Sequence, residues 1–308
     1  MKKHNNPNKI YFLMLLVPLF WGGSFSTAEH VVTEIPPLIA ATLRFGIAGV
    51  ILMIYLAIKS EWEIGSLKKR WKGLLLVSLT GIFGYNALFF LGVHYTSAIN
   101  GALIIAIMPI FVTLGAIIFF NEKWNSKVGI SLVLSLVGVM IVITKGSLAM
   151  FLSLAFNVGD LLFIAALTCG VIYGLVGKSV MKDVSPLFAT TIMTVIGSAF
   201  LMITSLFEGG WDRVPDMSAQ SWLEMVYMVV CGTLVGYIIF NKGVEQIGAS
   251  KASIYLNLTP IVTTLISVLL YGSSMTWKQV IGMILVLIGV YIATVKTTNL
   301  NKKVVLND

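Results

Sequence analysis

What limits the folds open to this sequence most is a succession of uninterrupted apolar runs, each close to 20 residues long, separated by short clusters of charge. At a rise of about 1.5 Å per residue, a helix of that length crosses the roughly 30 Å hydrocarbon core of a bilayer. Charged residues make up only 11% of the 308-residue chain, against about 25% in an ordinary soluble domain. So few charges could not clothe a fold surrounded by water. Windows bounded by charge, Gly and Pro predict ten helices, over 10–29, 37–58, 72–93, 97–120, 126–145, 159–178, 185–207, 221–241, 249–271 and 277–296. The strands of a membrane barrel would alternate over about ten residues, and these runs do not. The expected fold class is an all-α integral membrane protein. Its first run follows Lys2, Lys3 and Lys9 in the manner of a signal peptide, but no small-x-small cleavage site succeeds it, so it reads as the first spanning helix.

The placement of charge orients the helices. With ten spans and an internal N-terminus, 17 of the 21 basic residues fall on the cytoplasmic side, and Lys145, Arg213 and Lys278 alone fall opposite. That asymmetry predicts cytoplasmic termini. It also supports the number of spans, because one span missed would transpose every later segment. The net charge of +8 raises nucleic acid as a partner, but the basic residues are scattered through connectors and build no patch. Nucleic-acid binding is therefore excluded, and the bilayer is the expected surrounding. Cys169 and Cys231 both lie inside apolar runs, which argues against a disulfide framework or a Cys-based metal site.

The chain also repeats itself. Pro109 and Pro260, Gly138 and Gly289, Gly92 and Gly243, Thr113 and Thr264, and Lys127 and Lys278 are each 151 positions apart. Gly84-Tyr85 matches Gly236-Tyr237 at an offset of 152, and Pro37-Leu38 matches Pro186-Leu187 at 149. Prolines and glycines at nearly one offset mark a duplication, with units at 1–150 and 151–308. Five spans per unit is an odd number, so the second copy enters the membrane from the opposite side. Inverted repeats are a recurrent plan of secondary transporters, which bind substrate near the midplane and alternate access between the two sides.

Several segments resemble the EamA-like branch of the drug/metabolite transporter superfamily: Phe20-Trp21-Gly22-Gly23-Ser24-Phe25, Arg44-Phe45, Tyr95-Thr96-Ser97-Ala98 through Pro109 to Asn121-Glu122, Gly159-Asp160-Leu161, and Asn241-Lys242-Gly243-Val244 through Gly248-Ala249-Ser250 to Pro260. The resemblance covers nearly the whole chain. It implies transport of small metabolites across the plasma membrane, export more often than uptake, with no cofactor. Two positions depart from the pattern. Ser273 stands where the second copy usually has a Glu matching Glu122, and Gly170 stands where an aromatic would match Trp21.

Within the spans, polar and aromatic residues recur at helical spacing, and in hydrocarbon their polar tips must turn inward to find partners. Trp21, Ser24, Tyr85, Asn86, Asn100, Tyr237 and Asn257 are on this ground the candidate substrate-binding residues. Interhelical packing is the plainer role for any one of them. Arg44, Pro109, Pro260 and Glu122 are candidates for gating or structure. The two prolines read as mid-helix breaks that free the carbonyls of Ile105 and Leu256. Arg44 either snorkels or pairs with Glu29 or Glu34 as scaffold, or meets a carboxylate or phosphate of the substrate. Asp160 reads as a helix N-cap. No span centre carries an acid, which disfavours a proton-coupled exporter of cationic drugs and favours neutral, zwitterionic or anionic metabolites such as amino acids. A membrane-embedded enzyme finds no catalytic set or metal-ligand spacing here, and a channel finds no filter sequence. Gly138 and Gly289 suit either close packing within the chain or a homodimer interface.

Overall fold

A computed structural model of the chain describes residues 7–96, 101, 104–121, 125–149, 157–271 and 275–294. Among these residues the regular structure is helical throughout. In chain order the helices are α1 (Pro7–Glu34), α2 (Pro37–Lys59), α3 (Ile64–Tyr95), α4 (Met108–Phe120), α5 (Ser126–Ile143), α6 (Val158–Val180), α7 (Pro186–Glu208), α8 (Ala219–Ile247), α9 (Ala249–Ile254), α10 (Thr259–Tyr271) and α11 (Trp277–Thr294). Eight of them, all but α4, α9 and α10, are long and apolar enough to cross a membrane.

Three features depart from the expected spans. First, α3 starts at Ile64, so that Lys68, Lys69 and Arg70 ride on its opening turns. A helix continues past the apolar window when the added residues are good helix formers standing in water. Second, Pro109 and Pro260 do not interrupt continuous helices. Each is the second residue of its helix, in α4 and α10 respectively. Proline fits there, because the first turn needs no N–H and its fixed φ is already helical. The chain before Pro260 tightens into a 3₁₀ turn, Tyr255–Leu258, in which the Leu256 carbonyl accepts the Thr259 N–H instead of being left free. Third, α3 and α8 each contain a π-helical turn, Ser78–Gly84 and Met228–Val235, at matching places in the two halves.

Counterpart helices pack against each other head to tail. Glu208, at the end of α7, accepts the Leu38 and Ile39 N–H groups at the start of α2, at 2.9 and 3.2 Å. Glu63, just beyond α2, accepts the Ser185 N–H that opens α7, at 3.2 Å. Each helix of the pair thus has a carboxylate set at its positive end by the other. The pairing of α5 with α11 has the same sense. Gly138 lies against Gly282 and Val286, while Gly289, farther along α11, lies against Ser135 and Ser131, earlier on α5. A Cβ on Gly138 would stand 2.6 Å from the Gly282 carbonyl oxygen, so the backbones touch. These glycine faces are consumed within the chain, which removes them as the dimer surface the sequence left open.

The ends of the bundle are tied by polar contacts. Asn157 caps α6 by accepting the Asp160 N–H, and Asp160 returns the bond to the Asn157 N–H at 2.9 Å. Asp160 is therefore the first-turn partner of a capping box, three residues past the cap, and not the cap itself. Its other oxygen accepts from Thr96 Oγ1 at 2.9 Å. At the opposite end, Asp183 in the α6–α7 connector accepts Lys69 Nζ at 3.0 Å and Arg70 Nε at 2.6 Å. Hydrogen bonds from Lys69 and then Arg70 hold its carboxyl below the ordinary value of 3.8. The folded carboxyl titrates lower than the unfolded one, so the clamp stabilises above 3.8 and is lost as pH falls through the depressed value. Asp183→Asn should flatten the acid limb of the stability curve of the detergent-purified protein below pH 3.8 and leave the rest of its shape, as read by thermal unfolding against pH.

Candidate functional site

The broken and π-turned helices meet around a partly open cavity. It offers about 80 Å³ to the centres of water molecules, several times the roughly 10–15 Å³ that a single water requires. From the first half come Trp21, Ser24 and Phe25 of α1, Arg44 of α2, and Tyr85, Asn86 and Phe89 of α3. The stretch entering α4 adds Ile105, Ala106 and Met108. From the second half come Gly170, Tyr173 and Gly174 of α6, Tyr237 and Phe240 of α8, and Ser253, Leu256, Thr259 and Pro260 from α9 through the start of α10. Both halves wall the same space. The N-termini of the two half-length helices, at Met108 and Thr259, open onto it.

The walls are held by the two π-turns. Trp21 Nε1 donates to the Gly232 carbonyl at 2.8 Å, within the π-turn of α8. The matching carbonyl 151 positions earlier, Gly81 in the π-turn of α3, lies 3.1 Å from Asn86 Nδ2, which also reaches the Ile82 carbonyl at 2.9 Å. Asn86 Nδ2 continues to Tyr237 Oη at 3.2 Å, linking α3 to α8 across the pseudo-symmetric centre. A π-turn displaces carbonyls from the regular ladder, and in an apolar interior each needs a donor. Trp21 and Asn86 supply them. Their ring and amide are thereby locked in orientation.

An aromatic box surrounds these anchors. Trp21 packs against Tyr237 and Phe240, each at 5.2 Å between centroids, and Tyr173 stacks on Phe240 at 6.1 Å. Tyr85 stacks on Phe89, and Phe25 meets Phe89 edge-on at 4.8 Å. Tyr173 donates to Asn241 Oδ1 at 2.5 Å, and Asn241 Nδ2 donates to Thr190 Oγ1 at 2.9 Å. Gly170, which takes the place an aromatic would match to Trp21, lies on the cavity wall, and Met108 and Tyr85 pack so closely on it that an added Cβ would stand 2.6 Å from Met108 Cε.

Arg44 is 4% exposed and lines the cavity. It neither snorkels nor meets Glu29 or Glu34. Glu34 instead accepts the Ser218 N–H and hydroxyl at 2.8 and 2.7 Å. Arg44 Nε donates to Thr233 Oγ1 of the α8 π-turn at 3.0 Å, and its Cζ stands 5.0 Å from the Phe45 centroid. Among the described residues it is the sole charged side chain in the lining, and none of its ion pairs appears among their salt bridges.

Of the residues singled out from the sequence, the fold brings Trp21, Ser24, Tyr85, Asn86, Tyr237, Arg44 and Pro260 to the cavity. Asn257 is buried in the 3₁₀ turn with its Oδ1 unpartnered among the described residues, and it does not line the space. Pro109 stands beside the lining residue Met108 without joining the lining. Asn100 and Glu122 lie outside the described residues. Tyr173 and Phe240 were not singled out. Tyr173 was within reach, since it matches Ser24 at the 149 offset, whereas Phe240 carried only its place one helical turn beyond Tyr237.

Two segments of the chain, residues 8–144 and 157–295, each match the family described as the EamA-like transporter family. An uncharacterized transporter of Bacillus subtilis, YyaM, is 34% identical over 292 residues, covering 95% of this chain and 94% of that protein. A probable amino-acid metabolite efflux pump of Salmonella typhimurium is 25% identical, with 91% and 93% covered. A protein of known crystal structure superimposes with a TM-score of 0.75 over 94% of this chain and 98% of its own at 15% identity, which shows a shared fold.

Trp21→Phe keeps the ring and deletes the donor to the Gly232 carbonyl. It should cost about 1–3 kcal/mol, because the buried carbonyl is left without its donor, read as a lower melting temperature of the purified protein without loss of monodispersity.

Proposed function

The chain belongs to the EamA-like transporter family, and from that premise we propose that it is a secondary transporter exporting small, amino-acid-like metabolites across the plasma membrane by alternating access. The family and the relatives above are transporters and not enzymes. Ten membrane-spanning segments complete the reading: the eight long helices, α4 with the stretch before it, and α9 with α10. They form two inverted sets of five with both termini in the cytoplasm.

The observation that carries the proposal is the cavity itself. It is enclosed by matching parts of the two halves, its walls are aromatic with a few fixed polar groups, and such a lining suits a small organic molecule. The head-to-tail pairing of α2 with α7 and of α5 with α11 supports a rocking motion, because exchanging the conformations of the two halves exchanges the side on which the cavity opens. Arg44 in the lining, with no acid beside it among the described residues, argues against a cationic cargo. The Salmonella relative, named for efflux of amino-acid metabolites, supports export of related compounds.

Counterflow in liposomes loaded with a panel of labelled amino acids and their derivatives tests this reading. Trp21→Ala and Tyr237→Ala, each checked for monodispersity, should lower the rate for the transported compound by about tenfold or more, as expected when an aromatic wall of a binding site is removed. Unchanged rates in both variants would exclude the cavity as the transport site.

A further inference from the structure

Arg44 is an expensive residue to place in this position, and the fold does not neutralise it. An intramembrane arginine normally faces an acidic partner or reaches the membrane surface. Here it does neither. Nε is spent within the protein, on Thr233, and neither Nη makes a hydrogen bond among the described residues. The guanidinium is also shaped for something. Ser24 Oγ and Arg44 Nη2 converge on Gly232, where an added Cβ would lie 2.6 and 2.8 Å from them. The charge is not repeated in the second half at the matching place, where the 149 offset puts Met193.

We propose that Arg44 is the recognition residue for a carboxylate on the transported molecule, with its two Nη groups holding the carboxylate as a fork and the box of Trp21, Tyr237 and Phe240 holding an apolar body. This inference rests on the transport reading above and specifies its cargo. A carboxylate is favoured over a phosphate because one guanidinium matches one negative charge. A phosphate monoester near neutral pH carries about two, which would bring an unbalanced charge into a lining otherwise apolar. Bidentate geometry makes the role specific to arginine, since lysine offers the charge without the fork.

The probes are acid and amide pairs built on the same body: leucine and leucinamide, phenylalanine and phenylalaninamide, and the N-acetyl derivatives of all four. Phenyl phosphate serves as the phosphate control. The full-length protein is assayed for competition against counterflow and for ligand-induced thermal stabilisation. In the wild type at least one acid should act at about ten- to hundredfold lower concentration than its amide, the effect of a charge-assisted pair. Arg44→Gln should bring acid and amide together, and Arg44→Lys should recover only part of the difference. Gly232→Ala should also narrow it, because the intruding methyl displaces the Ser24 hydroxyl and the flexible tip of Arg44 and not the backbone. A purely structural Arg44 would lower the melting temperature without moving the acid-to-amide ratio, and that result overturns the proposal. So does equal action of acids and amides on the wild type, or stronger action by phenyl phosphate. If counterflow stands while the ratio is one, this inference alone fails. If none of the acids binds and nothing in the wider panel is carried, the transport reading falls with it.

Discussion

In hydrocarbon a backbone carbonyl has no water to turn to, and in both π-turns of this chain a side chain supplies a donor to a carbonyl. That constraint organises the rest. The π-turns of α3 and α8 put the Gly81 and Gly232 carbonyls out of the regular ladder, and Asn86 and Trp21 reach them. The starts of α2 and α7 leave N–H groups exposed, and carboxylates from the opposite ends of the partner helices accept them. Because irregular backbone is tolerated at membrane depth only beside protein or a polar cavity, the same residues that satisfy it become the walls of the cavity.

The two halves share this plan and then diverge in chemistry. Tyr85 and Tyr237 follow their π-turns alike, and both lie on the cavity. On one side Trp21 fills the space above the turn. On the other, Gly170 lets Met108 and Tyr85 approach the α6 backbone, and Tyr173 crosses to Asn241. A duplicated scaffold thus supplies a shared axis for motion, while the differing side chains give the cavity a charged end, at Arg44, and an apolar one.

Much of this architecture was legible in the residues. A run of about 20 apolar side chains has few stable fates, and paired prolines and glycines at one offset expose the duplication. Polar residues such as Asn86 and Trp21 stood out because burying them without partners is costly. The π-turns were not legible, since one extra residue in a helical turn leaves no mark in hydrophobic periodicity. The prolines misled in a specific way. A proline within a long apolar run looks like a kink in one helix, and only the 3₁₀ turn before Pro260 shows that a new helix begins there. The direction of Arg44 was equally hidden, because its long side chain can reach the surface or the interior from the same Cα.

The central claim is that the matching segments of the two halves face opposite sides of the membrane around this cavity. Lys127 and Lys278, 151 positions apart and both exposed at the first turns of α5 and α11, report on it directly. Each is replaced singly by Cys, in a background lacking Cys169 and Cys231, and treated with a membrane-impermeant thiol reagent on intact cells and on inverted vesicles. The account predicts that one cysteine is labelled only in cells and the other only in vesicles. Labelling of both from the same side would contradict it.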